Sequence, residues 1–439
     1  MTPPADDETG LGLLLSTQLW KRRLALWGGA VLVALAAILF ARAADLAFSL
    51  FRKVLQRSPG WTLILTPATF AVVAWCTRHG LEATRGSGIP QVIAGLEMPP
   101  ALRQKHLSLK VAVAKLVLTV IGMLGGASIG REGPTVHVGA GLMQAFGRWL
   151  GFSSEQQVQR FLLAGGAAGL AAAFNTPLAG VVFAIEELSG TYEHRFSGTL
   201  LTAVIVGGVV SLALLGNYTY FGTVHAQLSL SSAWLAVPLC GILCGLAGGL
   251  FSRLILVVTA DSPPWLARLR QTHPVMLATV CGVLLAGLGL EFGDGAFGTG
   301  YEQARGLVQG QALVGHAFSV VKFIANLVSY AAAIPGGLFS PALAVGAGFG
   351  YNLSALLPHV PVPSLVLLGM CGYLAGVTQA PLTSAVIAME MTDNQDMLLP
   401  ILTTVLLART ASALICRQPL YKALAQRLLT HPPHQDGRP

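Results

Sequence analysis

Long apolar stretches separated by short polar ones run through nearly the whole chain. They lie at about residues 24–51, 61–76, 109–129, 161–185, 199–216, 233–259, 274–293, 311–334, 338–357, 363–391 and 396–416. Several exceed the roughly 20 residues that a helix needs to cross a bilayer, so the pattern predicts an all-α polytopic membrane protein. Others are too short, or carry glycine and proline inside them. These predict broken or re-entrant helices, which are tolerated at membrane depth only where protein or a water-filled cavity satisfies the freed backbone groups. A pathway through the protein is therefore expected.

The pattern also repeats. "GREGPTVHVGAG" from Gly130 and "GLFSPALAVGAG" from Gly337 both read glycine, three residues, proline, three residues, then Val-Gly-Ala-Gly. "PLAGVVFAIE" from Pro177 is matched in the same order by "PLTSAVIAME" from Pro381, so the offsets are 207 and 204 residues, close to half the chain. Two repeats in one membrane protein mark a secondary transporter or a related channel, with the substrate site near the midplane where discontinuous helices meet. The repeat itself fits parallel and inverted arrangements equally.

Composition narrows the class. Of 439 residues 54% are hydrophobic and only 10% charged, against roughly 25% charged in soluble domains. The net charge of +8 is scattered over segment ends, with no polybasic block of the kind that grips nucleic acid. Lys21, Arg22 and Arg23 precede the first long apolar run and Arg417, Lys422 and Arg427 follow the last, which by the positive-inside bias predicts that both termini are cytoplasmic. Asp6, Asp7 and Glu8 open the chain, and the first apolar run is too long for a signal core, so no cleavable signal is expected. Cys76, Cys240, Cys244, Cys281, Cys371 and Cys416 lie in or beside apolar runs and read as small core residues. Cys240 and Cys244 share a helix face without a histidine or carboxylate, so no metal is expected there.

Three short turns carry the chemistry. "RGSGIP" (85–90), "GREGP" (130–134) and "GGLFSP" (336–341) each place glycines and then a proline where a helix should begin. Backbone N–H groups are unbonded in a first turn, and proline is tolerated there. With the positive end of the helix dipole they form an anion site. Gly86, Gly88, Pro90, Gly130, Arg131, Gly133, Pro134, Gly337 and Pro341 shape these turns, and Ser87 adds a hydroxyl donor. Gly139, Gly141, Gly346 and Gly348 read instead as close helix packing.

A carboxylate in a membrane segment costs roughly 2.5–3.5 kcal/mol on insertion scales, so it is a functional hypothesis by default. Glu132 has the form of a tethered anion: ionised it competes for the anion site, and protonated it withdraws. The plainer alternative is a static pair with Arg131, although adjacent residues on a helix do not face each other. Of Glu186 and Glu187, one can cap a helix end as Glu390 can in the other copy. The extra carboxylate, Glu187, faces Met391 in the alignment of the copies, and reads either as a proton acceptor opposite Glu132 or as a solvent-facing residue. His137 reads as a packing or hydrogen-bonding residue. Zinc-protease spacing is absent, and "GREGP" lacks the lysine and hydroxyl residue of a phosphate loop, so neither an enzyme nor a cofactor is expected.

"GSGIP" (86–90), "GREGP" (130–134) and "GLFSP" (337–341), in that order, resemble the signature turns of the CLC family of chloride channels and chloride/proton exchangers. "QAPLTSAVIAMEMTDN" (379–394) and "PLYKAL" (419–424) are similar to family sequence as well. The resemblance implies a homodimer with one anion pathway per subunit, built from two inverted-topology repeats with many tilted and re-entrant helices. It divides the chain into a cytoplasmic segment 1–23, a first membrane repeat 24–216, a second 217–427 and a short, unstructured cytoplasmic tail 428–439. It further implies a central chloride held by the Ser87 and Tyr421 hydroxyls and the N–H groups of Leu338 and Phe339. Glu132 matches the gating glutamate, and Glu187 the internal proton glutamate of exchangers. Chloride/proton antiport in a bacterial inner membrane is the implied function, with a passive gated chloride channel on the same scaffold as the alternative. Two departures stand out. Gln91, Val92 and Ile93 replace acidic residues often found there, which removes a possible partner for Arg131. Ser340 stands where alanine is common, a change expected to be harmless. The nucleotide-binding module of many eukaryotic members is not expected, since 18 residues follow Tyr421.

Overall fold

Helices form wherever the chain is apolar, and glycines and prolines decide where each one starts and stops. The computed structural model describes residues 17–189, 194–216, 218–229, 231–259, 261–311 and 314–430. Most of the segment 1–23 and of the tail 428–439 lies outside these. The first half holds α1 (Thr17–Arg57), α2 (Thr62–Arg78), α3 (Ile89–Glu97), α4 (Pro100–Leu107), α5 (Leu109–Leu124), α6 (Glu132–Trp149), α7 (Glu155–Phe174), α8 (Pro177–Phe183) and α9 (His194–Leu215). The second holds α10 (Ala236–Thr259), α11 (Pro264–Thr272), α12 (Pro274–Phe292), α13 (Tyr301–Val308), α14 (Phe318–Ala331), α15 (Phe339–Leu353), α16 (Val362–Thr378), α17 (Pro381–Thr392), α18 (Leu398–Ile415) and α19 (Leu420–Thr430). Among the described residues seven helical stretches are long and apolar enough to cross a membrane. The protein is thus an all-α, multi-pass integral membrane protein.

The apolar runs 161–185 and 363–391 are each two helices, as interrupted stretches at membrane depth predict. α7 stops at Asn175 (φ 57°) and α8 starts at Pro177, while α16 stops at Gln379 (φ 58°) and α17 starts at Pro381. A left-handed residue ends a helix and a proline in the first turn opens the next. The two breaks are 204 residues apart.

The two halves meet through equivalent residues. Gly130 N–H donates to Gly337 O and Gly337 N–H to Gly130 O, both at 2.7 Å, across an antiparallel bridge. The Glu186 carboxylate accepts from the N–H groups of Leu382 (3.2 Å) and Thr383 (2.7 Å) at the start of α17. Reciprocally, Glu390 accepts from Leu178 (3.0 Å) and Ala179 (2.6 Å) at the start of α8. Such mutual exchange of one contact is the mark of a two-fold relation, and the antiparallel chain at its centre opposes the halves. The repeated glycines pack backbone to backbone. A Cβ on Gly139 would strike Gly165 O, and one on Gly346 would lie 2.5 Å from Gly369 O.

A third pair is visible only in the structure. Gly298-Thr299-Gly300 leads into α13 as Gly86-Ser87-Gly88 leads into α3, with positive φ at all four glycines (60° and 76°, 68° and 104°). Behind each turn lies a fully buried lysine, Lys115 on α5 and Lys322 on α14. Lys115 Nζ donates to Gly86 O at 3.3 Å. Lys322 Nζ donates to Phe297 O at 2.9 Å and Gly298 O at 2.6 Å, with Ala296 O at 3.4 Å.

Candidate functional site

The starts of α3, α6 and α15 converge on Gly133. A Cβ there would strike Ser87 Oγ and lie 2.8 Å from Ser87 O and 3.3 Å from Gly337 Cα. Gly88 is equally constrained: it has φ 104°, and a Cβ would lie 2.9 Å from Gly133 O and 2.7 Å from His137 Cβ. Pro90, Pro134 and Pro341 all stand in first turns, where a missing N–H costs nothing. In α15 the first intrahelical bond runs from Ala342 N to Leu338 O (2.9 Å), so the N–H groups of Leu338 and Phe339 precede the ladder and remain available.

Two hydroxyls point into this convergence. Ser87 is 1% exposed and Tyr421 is fully buried. They lie within hydrogen-bonding reach of each other, and among the described residues neither Oγ nor Oη has a partner in good hydrogen-bond geometry. Burying a hydroxyl unbonded costs energy, so two such donors side by side fit an acceptor that is not part of the chain. The Tyr421 ring is set by parallel stacking on Phe339 (6.0 Å, 8°), the same residue that opens α15.

Glu132 is the first residue of α6 and fully buried. Its carboxylate folds back over Gly130, where a Cβ would collide with Oε2, and lies against the backbone N–H groups of Glu132 and Ser340. Ser340 Oγ donates to Oε1, whereas Oε2 has no hydrogen-bond partner among the described residues. The static pair with Arg131 is not formed. Arg131 Nη1 turns away to Asp45 Oδ1 (2.7 Å) and Ala41 O (3.1 Å) on α1, because adjacent side chains diverge where a helix begins. No acidic residue at 91–93 is there to partner Arg131, which has Asp45 instead, and Gln91 Nε2 donates to Arg85 O at 2.7 Å.

Glu186 and Glu187 sit in a π-helical turn, Ala184–Ser189, that continues α8. The wider turn sends the neighbours to different places, and such turns are frequent at functional sites. Glu186 caps α17 as described. Glu187 is 2% exposed with Oε1 unpartnered, and it faces Lys422 and Tyr421 on α19. The Tyr421 phenol lies beside Ser87 and within electrostatic reach of both Glu187 and Glu132.

Two cavities, the mouths of the site, reach it through different residues. One is a cavity of about 480 Å³ whose lining includes Asp45, Arg131, Tyr218, Tyr220 and Thr299. The other, about 420 Å³, leads past Arg85, Arg270 and Arg427 to Gly86 and Ser87. Donor groups without acceptors suit an anion, and buried carboxylates next to it suit protons.

Some residues here carried no signal in the sequence. Ser340 looked harmless yet touches Glu132. Tyr220, 6% exposed, faces Ser340 and Glu132 from the first mouth. Residues 126–130, Gly-Ala-Ser-Ile-Gly, have the Gly-x-Ser-x-Gly spacing of a nucleophile elbow. Ser128 Oγ however donates to Asn326 Oδ1 at 2.6 Å, which makes it a strut between the halves. His137 Nε2 bonds His106 O at 2.9 Å, a hydrogen-bonding role. Cys240 and Cys244 are buried on α10, and among the described residues no group of three or more metal-binding side chains comes together.

Comparisons with known proteins bear on the family and the fold. The family described as voltage gated chloride channel matches residues 69–413. The H(+)/Cl(-) exchange transporter ClcA of Yersinia pestis bv. Antiqua (strain Angola) is 28% identical over 427 residues, covering 91% of this chain and 86% of that protein. The protein of the same name from Citrobacter koseri is 30% identical over 397 residues, covering 85% and 82%. Among solved structures, a slow cyanobacterial Cl-/H+ antiporter has a similar fold, with a TM-score of 0.81 at 23% identity over 95% of this chain and 99% of that one.

Proposed function

Since the chain belongs to the voltage gated chloride channel family, we propose that it exchanges chloride for protons across the membrane. The observation that carries this reading is the pair of buried carboxylates, Glu132 and Glu187, each with an unpartnered oxygen, around the Ser87 and Tyr421 hydroxyls. A channel needs one gate. A second buried carboxylate beyond the anion site has a use when protons must also pass.

The chloride is held by the Ser87 and Tyr421 hydroxyls and by the N–H groups of Leu338 and Phe339, with the dipole of α15 behind them. Ionised Glu132 takes the neighbouring anion position at the start of α6. When it gains a proton it no longer competes with chloride and leaves, and the anion advances toward the first mouth. Glu187 delivers protons from the other side, past Tyr421. Chloride and proton therefore move in opposite directions because Glu132 alternates between them. The substrates are chloride and protons; no cofactor, metal, nucleotide or enzymatic step is needed.

The first mouth faces outward in this reading. Asp45, its partner to Arg131, lies roughly 36 Å along α1 from Lys21 at 1.5 Å per residue, enough to cross a bilayer core. Arg427 on the last helix lines the second mouth, which puts that mouth on the side of both termini, the cytoplasm. The membrane is a bacterial inner membrane, and the repeats span 24–216 and 217–427 between the terminal segments. The functional unit is a homodimer with one pathway per subunit. Exposed leucines support it: Leu178, Leu201, Leu382 and Leu399 on α8, α9, α17 and α18, which flank the reciprocal Glu186 and Glu390 caps.

Purified protein in liposomes, under a chloride gradient with the voltage clamped by valinomycin and potassium, tests the reading. Uphill proton movement driven by chloride, lost in Glu187→Gln, is expected. Chloride flux with no linked proton flux would make the protein a passive channel.

A further inference from the structure

Glu132 is held from across the repeat interface. The bond to its Oε1 comes from Ser340 Oγ, on the first turn of α15 in the other half of the chain, and both side chains are at most 4% exposed. The donor belongs to the helix whose first N–H groups are assigned to the anion. Ser340 thus touches the gate from the side of the ion. Behind it stands Tyr220, whose phenol faces both Ser340 and Glu132. Its ring lies edge-on to Tyr301 (4.7 Å) and Phe174 (5.5 Å), and its carbonyl accepts from Tyr301 Oη at 2.7 Å. A bond from a neutral hydroxyl to a buried carboxylate is stronger than one to a neutral acceptor. It therefore favours the ionised side chain in its present place over the withdrawn one.

We propose that Ser340 is a positioning residue that latches Glu132 in the anion position, so that chloride must displace the latched carboxylate and not a free one. The proposal rests on the reading of Glu132 as the gate. The latch sets how strongly the carboxylate competes with chloride, and through that the rate at which the gate is vacated. The other groups that face Glu132 are Arg131 on its own helix, drawn off to Asp45, the Tyr220 and Tyr421 phenols, and the N–H groups of Glu132 and Ser340. Of these, only Ser340 makes a side-chain hydrogen bond to it within the described residues. An alanine at 340 keeps every backbone donor and removes the latch alone.

The test is chloride binding to the purified full chain by calorimetry at alkaline pH, in four proteins: the parent, Ser340→Ala, Glu132→Ala and the double variant. Ser340→Ala is expected to tighten chloride binding about tenfold, near the lower limit for a hydrogen bond to a charged group. In the Glu132→Ala background the same substitution is expected to change nothing, because no carboxylate is left to hold. A purely structural role for Ser340 predicts equal effects in both backgrounds, and that result overturns the latch. So does unchanged or weaker binding in Ser340→Ala alone, when Glu132→Ala itself tightens binding. If Glu132→Ala leaves both chloride affinity and proton coupling as they are, the reading of Glu132 as the gate falls, and the latch falls with it.

Discussion

The two halves of the molecule share a backbone and differ in a handful of side chains, and the division between the shared and the unshared is chemical. Gly130 and Gly337, Glu186 and Glu390, and Lys115 and Lys322 are equivalent residues with equivalent contacts, and all of them bind backbone. They hold two crossing scaffolds together. Where the halves part, the first has Arg131-Glu132 against Leu338-Phe339, and Glu187 against Met391. Those unshared carboxylates are buried, each with one oxygen that has no hydrogen-bond partner among the described residues. Symmetric carboxylates thus pair with helix starts, and asymmetric ones stay available for an ion. An internally duplicated scaffold supplies two of everything, and directional coupling requires that the copies diverge at the site.

The division is sharpest in Glu187 and its neighbour. Glu187→Gln is expected to abolish coupled proton movement while chloride flux persists, read in the liposome assay. Its melting temperature in detergent should stay level or rise, because the amide removes a buried charge that has no full set of partners. If the variant keeps proton coupling, the asymmetry between Glu187 and Met391 has no part in transport.

The symmetric caps should behave in the opposite way. Glu186→Ala and Glu390→Ala each remove a carboxylate bonded to two helix N–H groups, and each is expected to lower unfolding stability by about 2–3 kcal/mol. Thermal unfolding in detergent compares them. Equal losses match their reciprocal geometry. A loss in one alone would break the equivalence of the two halves.

The buried lysines grade the same comparison more finely. Lys322→Met removes the lysine donor from the carbonyls of Ala296, Phe297 and Gly298, of which Gly298 O keeps Ser128 Oγ at 3.4 Å, whereas Lys115→Met removes it from Gly86 O, which keeps Gly336 N–H at 3.3 Å. With about 1–3 kcal/mol for an unsatisfied buried group, Lys322→Met should lower stability by about 2 kcal/mol, and Lys115→Met, which leaves Gly86 O satisfied, by less than about 1 kcal/mol. The same unfolding measurement checks the order.

What could be read from the chain alone follows from how local each signal is. Helices and repeats were legible because apolar length and the Gly-to-Pro spacing are properties of short segments. The breaks at Asn175 and Gln379 were legible as interruptions, since a proline follows each two residues later. Glu132 and Ser87 stood out as polar residues in apolar turns. Tyr421 did not: a tyrosine near the end of a membrane chain has no local oddity, and only the family resemblance singled it out. Contacts between the halves were out of reach. Arg131 finds Asp45 86 residues away and Glu132 meets Ser340 208 residues away, and no spacing rule encodes how two helix starts are set against each other. The pair of Gly-x-Gly turns was hidden for another reason. Glu302 replaces the proline, so the pattern of glycine followed by proline passes over the second copy.

That hidden pair supports the smallest and most selective comparison. Ser87 and Thr299 are equivalent hydroxyls on equivalent turns, each beside a mouth. Thr299 Oγ accepts from Tyr301 N at 3.2 Å, so its lone pairs are engaged in starting α13, and Glu302 brings a negative charge to the turn. Among the described residues Ser87 Oγ has no partner in good hydrogen-bond geometry, and Pro90 stands where Glu302 would be. Ser87→Ala is therefore expected to weaken chloride binding about tenfold, about 1.4 kcal/mol, with little effect on stability. Thr299→Ala should do the reverse, costing about 1 kcal/mol of stability as a lost cap and leaving chloride affinity unchanged. Calorimetry and thermal unfolding on the two variants separate the cases. A loss of chloride affinity in Thr299→Ala would mean that the outer turn also binds the ion, and that the halves have diverged less than their side chains suggest.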